Sequence, residues 1–493
     1  MSLKYVRLLK ERYSLIMNYT GVMMIGCSVV LALPVLLLIF YPSEVEYADA
    51  FLIPAAIAAL TGLLLRRFFK GGEEAALSLH EGGIIIVLAW FASIVFSSLP
   101  FMIAGLLGFS EAFFESVSGW TTTGLSMMDV SSTPHLFLFW RSLMQFVGGA
   151  GIAVVMLSAI IGPLGPGLYN AEGRSDLLLP NVRRSTRLIV TIYFGYTALG
   201  TVLYAICGMG LFDSVNHAMS ALSTGGFSTR VGSIGEYNSL PIEAVTIALM
   251  ILGTVNFAAS YLFLRGRFKQ FFKISELRFG ALLLLISIPL VSIFSLSQVY
   301  GSLPKAFRVG LFELTSALST TGFSITSYAS WGSLALFMLI IFMIVGGGTG
   351  STAGGAKQYR IMLLAKSVLW NIRRYSKPGN YTSRYYVYRP DGKFYLTKNH
   401  FIETANYVSL YIMTFLIGVV IITASGYSLK DAMFEFASSL GTVGLSVGVT
   451  SPDAPLVVTW TQIVGMILGR LEFFVIFYSM ARVIRDAKQI FKN

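Results

Sequence analysis

Among the runs of more than twenty residues without a single charged side chain, seven read directly as membrane spans: 20–41, 82–110, 142–170, 188–212, 244–264, 279–304 and 404–429. The hydrocarbon core of a bilayer is about 30 Å thick and takes about 20 helical residues to cross. Inside it every backbone polar group must be satisfied within its own segment, so uncharged runs of this length have to fold as helices. Residues 50–65 form a shorter run whose end Arg66 and Arg67 can serve by snorkelling. Two more candidates, 331–368 and 454–484, are long but interrupted. The first run is too long, and starts too far along the chain, for a cleaved signal peptide.

Composition agrees. The 493 residues are 55% hydrophobic and 12% charged, about half the usual charge content, and the mean hydropathy is +0.72. Disorder, coiled coil and collagen are excluded. Cys27 and Cys207 both lie in apolar runs, and four scattered histidines (His80, His135, His217, His400) make neither a disulfide framework nor a zinc cluster. The formal charge of +12 points to lopsided loops rather than to nucleic acid. With the N-terminus inside, 30 of the 36 Lys and Arg fall in cytosolic loops, as the positive-inside rule requires. Ten spans and two cytosolic termini are predicted.

A four-fold internal repeat dictates how the spans are arranged. Gly124, Gly226, Gly322 and Gly444 each have Thr two places before (Thr122, Thr224, Thr320, Thr442) and Ser two places after (Ser126, Ser228, Ser324, Ser446). Ser118, Ser220, Ser316 and Ser438 stand six places before. The anchors are 102, 96 and 122 residues apart, each on the outer side between two spans. Upstream, Glu111, Asp213, Val309 and Asp431 lie thirteen places before the anchors, and Glu115, His217, Glu313 and Glu435 nine before. Acidic residues one turn apart read as a helix start that favours the positive end of the macrodipole. The helix then dips inward and aims its carbonyl end at mid-membrane, where it favours a cation. Small residues also pack helices in lipid, but packing does not require one spacing four times over. Non-helical backbone at membrane depth survives only where it is buried or lines water.

Four such segments around one axis present rings of backbone carbonyls able to replace the hydration shell of a monovalent cation. The segments are Thr121-Thr122-Thr123-Gly124, Ser223-Thr224-Gly225-Gly226, Ser319-Thr320-Thr321-Gly322 and Gly441-Thr442-Val443-Gly444. None holds a carboxylate, which argues against a divalent filter. The candidate filter residues are therefore Thr122, Thr123, Gly124, Thr224, Gly225, Gly226, Thr320, Thr321, Gly322, Thr442, Val443 and Gly444, with the last segment closest to the Thr-Val-Gly of potassium channels.

With these motifs, with Phe139-Trp140-Arg141-Ser142-Leu143-Met144-Gln145 followed by Gly148-Gly149, and with Gly469-Arg470-Leu471-Glu472, the chain resembles the Trk/Ktr/HKT superfamily of potassium transporters, within it the TrkH/TrkG type. The two leading spans look like the Trk branch. The resemblance implies K⁺ uptake at the plasma (cell inner) membrane, a homodimeric membrane subunit and a TrkA-like cytosolic nucleotide-binding regulatory partner. In plant relatives a Ser at the first anchor goes with Na⁺; four glycines here favour K⁺.

Gly346, Gly347, Gly348, Thr349, Gly350, Ser351 and Thr352, followed by Ala353-Gly354-Gly355, interrupt the eighth candidate span, 331–368. Each interior glycine costs a helix about 1 kcal/mol relative to Ala, so the helix is predicted to break here, below the third filter segment. Gly350 and Gly355 have phosphate-loop spacing, but Ala356 follows where a lysine is required and Lys357 comes one place late. A passive packing break is the competing reading; a pore-blocking loop whose small residues can move aside is the expectation. Arg470, inside the last span, is a functional candidate by position. Glu472 lies on another helix face, and snorkelling to an interface is the alternative. The expectation is that Arg470 faces carbonyls of the 346–355 loop and adds a barrier to cations. The Tyr- and Arg-rich segment 373–398 reads as a cytosolic surface loop for a partner protein or anionic lipid.

The expected architecture is thus an all-α polytopic membrane protein. It has two leading transmembrane helices (1–75) and four span–pore-loop–span repeats (76–173, 174–270, 271–400, 401–493) with pseudo-four-fold symmetry around one pore. No cofactor and no enzyme activity are expected, because paired carboxylates, a metal cluster or a Ser/His pair within the membrane are missing. The alternative is a Na⁺- or H⁺-coupled cation or solute carrier with a midplane site made by broken helices; a motif repeated four times with one polarity disfavours its two inverted halves.

Overall fold

The structure, a computed structural model, describes residues 3–69, 79–151, 182–375, 385–471 and 473–491. Two leading helices, Leu3–Ala32 and Ala48–Phe68, pack as an antiparallel pair joined by the 3-10 turns Leu33–Ile39 and Pro42–Tyr47. They cross at Gly21 and Gly62, where a Cβ on either residue would crowd the carbonyl oxygen of the other. Close backbone approach at small residues is how helices associate when lipid removes the hydrophobic drive.

Four helical units follow, each an outer helix, a short dipping helix and an inner helix. The outer helices are Leu79–Ile103, Val182–Ile206, Ser275–Val291 (prolonged by turns to Tyr300) and Lys398–Ala424. The dipping helices are Phe109–Trp120, Leu211–Leu222, Leu303–Ser319 and Leu429–Gly441. The inner helices start at His135, Leu240, Ser333 and Leu456. One apolar cluster joins the leading pair and the first unit to Ile463 and Met466 of the fourth; another joins the third unit to the fourth. The chain thereby closes on itself, its last unit against its first.

Six described helices are long and apolar enough to cross a membrane, and two bent pairs make up to eight. Among the described residues the second, third and fourth inner helices are broken, so fewer than ten helices there are each long enough to cross. The first ends at Ala150, before Gly151 at φ +89°; residues 152–170 of that predicted span lie outside the described residues. The second, an unbroken apolar run in the sequence, turns by 115° between Leu240–Thr254 and Phe257–Leu264. Asn256 starts its second half by accepting a hydrogen bond from Ala258 N at 2.7 Å, a side-chain cap for an orphan N–H. The third, Ser333–Val345, gives way to irregular chain until Gln358. The fourth bends by 101° after Arg470.

The segment expected as a surface loop after the third unit is more ordered than its composition suggests. Tyr386–Arg389 and Gly392–Tyr395 pair as an antiparallel hairpin, and Val387 is buried against Met362 and Leu363. Residues 376–384 of that segment lie outside the described residues.

Candidate ion pathway

The four anchor segments meet in a closed ring. A Cβ on Gly124 would overlap the carbonyl oxygen of Gly225, one on Gly226 that of Thr321, one on Gly322 that of Val443, and one on Gly444 that of Thr123. Each anchor glycine therefore lies against the carbonyl that precedes the next anchor, and the fourth step returns to the first unit. The local backbone repeats as well: Thr122, Thr224, Thr320 and Thr442 have φ of 55°, 53°, 56° and 50°, and the four glycines lie between 75° and 100°. Positive φ at a β-branched residue is a genuine outlier, held only where the surroundings over-determine it. Here the dipping helix does the holding. The amides of Thr123, Gly225, Thr321 and Val443 donate to the carbonyls of Ser118, Ser220, Ser316 and Ser438 at 2.8–3.0 Å. With these amides turned back onto the helix, the carbonyls are left for the ring.

The mouth beyond the anchors is a cavity of about 560 Å³, lined by all four anchor glycines and the four serines two places after them. Its walls are fixed by the residues nine places before each anchor. Glu111, Asp213 and Asp431 stand in the first turns of their dipping helices, while Glu115, His217, Glu313 and Glu435, one turn further in, are fully buried. Glu115 accepts from Ser126 Oγ (3.0 Å) and Met127 N (3.1 Å). Glu435 accepts from Ser446 Oγ (2.8 Å) and Val447 N (3.1 Å), and Glu313 from Ile325 N (2.8 Å) and Tyr328 (2.5 Å). His217 Nε2 meets Ser228 Oγ at 2.9 Å. Each ties the segment leaving the ring back onto its dipping helix. The serines six places before the anchors add a second tie, since Ser118 and Ser438 accept from Gly124 N and Gly444 N at 3.0 Å.

Arg141, one of the six basic residues outside the predicted cytosolic loops, is 2% exposed. Its Nε donates to Glu115 at 2.6 Å, its Nη2 to Ser126 Oγ at 2.9 Å and its Nη1 to Ser228 O at 3.3 Å, with the guanidinium 4.0 Å over the Phe227 ring. It joins the first unit to the second behind the ring. The only sequence signal for it is its place in the Phe-Trp-Arg motif.

On the other side of the ring lies the Gly-rich segment. Thr352 Oγ1 donates to Leu222 O (3.0 Å) and Gly253 O (2.9 Å) of the second unit and meets Thr224 Oγ1 at 3.2 Å. Gly354 N donates to Thr320 Oγ1 at 2.7 Å. A Cβ on Gly354 would overlap Thr442 Oγ1 and Gly441 O. Further along, Gly348 N donates to Thr254 O, Asn256 Nδ2 to Thr349 O, and Thr349 N to Glu276 at 2.7 Å. The segment is thus wedged under three of the four threonines, and its glycines serve close packing rather than slackness. Lys357 donates to Ala353 O within the segment itself. Under the ring, Thr122 Oγ1 and Thr442 Oγ1 are buried without a hydrogen-bond partner among the described residues.

Arg470 reaches the same place from the fourth unit. Its Nη1 donates to Thr352 O at 2.6 Å, and its Nη2 to Gly148 O at 2.7 Å and Gly149 O at 3.3 Å. One guanidinium therefore bridges the Gly-rich segment and the end of the first inner helix. Glu472 lies outside the described residues.

Comparison with known proteins places this arrangement. Residues 53–489 match the TrkH family model, described as cation transport protein. The Trk system potassium uptake protein TrkH of Halomonas elongata is 30% identical over 94% of this chain and 97% of its own. Escherichia coli Trk system potassium uptake protein TrkG is 31% identical over 80% and 83%. The crystal structure of the potassium transporter TrkH from Vibrio parahaemolyticus superposes with a TM-score of 0.82 at 26% identity, covering 94% of this chain and 98% of that one. A multi-pass helical membrane protein with this ring and this breadth of similarity belongs to the TrkH family of cation transport proteins.

Proposed function

We propose that this chain takes up K⁺ across the plasma membrane through the ring, with both termini in the cytosol. The observation that carries the reading is the closed cycle in which each anchor glycine abuts the next unit's carbonyl. Such a ring can exchange water oxygens for peptide oxygens around one monovalent cation at a time. Thr122, Thr123, Gly124, Thr224, Gly225, Gly226, Thr320, Thr321, Gly322, Thr442, Val443 and Gly444 form the filter. The unpartnered hydroxyls of Thr122 and Thr442 are further oxygens open to the ion. The segment from Gly346 to Thr352, together with Arg470, is the gate: it lies hydrogen-bonded under the filter, and a guanidinium there opposes a cation electrostatically. The potassium uptake named for the relatives agrees with this choice of ion. Regulation by a TrkA-like cytosolic nucleotide-binding subunit and assembly as a homodimer belong to the same proposal, on the resemblance of the chain.

Uptake of ⁸⁶Rb⁺ into proteoliposomes, with K⁺ and Na⁺ as competitors, tests it. Uptake blocked by K⁺ at far lower concentration than by Na⁺ is expected. Absence of Rb⁺ uptake, or transport competed by an organic solute, would replace the filter with the carrier reading.

A further inference from the structure

The ring is symmetric in its backbone but not in what stands behind it. In the second unit the residue before the anchor is Gly225, where the other three units carry Thr123, Thr321 and Val443. Filling the space a side chain would take is Gln145, from the first unit's inner helix: a Cβ on Gly225 would collide with the Gln145 amide. The amide is fully buried. Its Nε2 donates to Gly225 O at 2.6 Å, and its Oε1 accepts from Phe227 N at 3.0 Å. Gln145 thus grips the second filter strand on both sides of Gly226. By register, counting back three residues from the inner-helix glycine packed on each dipping-helix carbonyl (Gly148, Gly253, Gly469), the matching residues are Met250 and Met466. Neither can donate a hydrogen bond.

We propose that Gln145 is a positioning residue that sets ion selectivity by clamping the second filter strand, with Gly225 as its seat. This rests on the filter reading above. The oxygen in question is the second unit's member of the carbonyl set that abuts the anchors. Bonded to an amide, it keeps one lone pair for the ion and is held at a fixed radius, so one of the four ring oxygens cannot close in around a smaller cation. The Gly-Gly of the second unit follows from the same fact. A side chain at 225 and an amide at 145 compete for one volume, and the sequence resolves the competition in favour of the amide.

Four proteins test this: the wild type, Gln145→Met, Gly225→Ala and the double variant Gly225→Ala/Gln145→Ala. In ⁸⁶Rb⁺ uptake, Gln145→Met is expected to keep transporting while its preference for K⁺ over Na⁺ as competitor falls about threefold to tenfold, the worth of one or two net hydrogen bonds. Gly225→Ala is expected to lose most uptake, and the double variant to regain part of it because the amide has left the space the methyl needs. Unaltered selectivity in a transporting Gln145→Met sinks the clamp and leaves the filter reading untouched; a wild type that takes up no Rb⁺ sinks the filter reading instead. Melting temperatures in detergent judge the seat without any flux. The proposal requires the double variant to melt above Gly225→Ala, and losses that simply add overturn it.

Discussion

The buried carboxylates behind the ring differ in one respect that decides what their loss costs. Glu115 shares its oxygens with Arg141, and both are out of water. Among the described residues Glu435 accepts from neutral donors: Ser446, Val447 and Thr450. Neutralising Glu115 strands a buried guanidinium, a loss of about 3–5 kcal/mol. Neutralising Glu435 exchanges one acceptor for a donor and costs about 1–3 kcal/mol. Thermal denaturation in detergent is therefore expected to rank Glu115→Gln well below Glu435→Gln, and equal melting points would contradict the role of the Arg141 pair. Arg470 calls for the opposite test, a gain. Arg470→Ala removes the charge from beneath the ring together with its bonds to Thr352 O and Gly148 O. Lowering a barrier by about 1.4 kcal/mol raises a rate about tenfold, so ⁸⁶Rb⁺ uptake without any partner protein is expected to rise by that order. Uptake at or below the wild-type level would remove Arg470 from the gate. The position of Arg470 was legible in the sequence because a charge among apolar residues stands out. The pairing of Glu115 with Arg141 was not, because 26 residues separate partners that only the closed fold brings together.

Among the elements, the inner helices contain the least legible feature of the chain. The break at Gly346 is written in the sequence as a cluster of glycines. The turn of 115° at Val255–Asn256 has no such mark, since apolar residues flank it on both sides and one Asn cap suffices. The hairpin at 386–395 was hidden for a different reason: alternating tyrosines and basic residues carry the same pattern whether they coat a loop or form a two-stranded ribbon. The Gly-rich segment itself is better packed than its composition suggests. A methyl on Gly354 has no space between the Thr442 hydroxyl and the Gly441 carbonyl, so Gly354→Ala must push the segment away from the ring or distort the fourth dipping helix. The first outcome raises resting ⁸⁶Rb⁺ uptake several-fold, and the second lowers K⁺ preference as well. Unchanged uptake together with unchanged selectivity would show that the segment does not sit where flux is controlled.

At the scale of the whole molecule, closure makes distant residues equivalent. The anchors span 320 residues of sequence, from Gly124 to Gly444, yet each occupies the same place against its neighbour's carbonyl. The repeat of Thr, Gly and Ser announced four equivalent strands, and this part of the fold was readable because the same backbone problem, a left-handed Thr followed two residues on by a left-handed Gly, admits few solutions. What the repeat left open was the order around the axis. The contacts run from first unit to second, third, fourth and back, so a side chain at any anchor strains two units at once, its own at positive φ and the next one's carbonyl. A serine at Gly124, Gly226, Gly322 or Gly444 should consequently have much the same effect: K⁺ preference over Na⁺ lost by at least about tenfold, the equivalent of about 1.4 kcal/mol of cation discrimination, with the helical content unchanged. Competition assays on the four single variants check this together. If one anchor tolerates serine with its selectivity intact, that strand does not belong to the ring that chooses the ion, and conduction would have to pass between the other three.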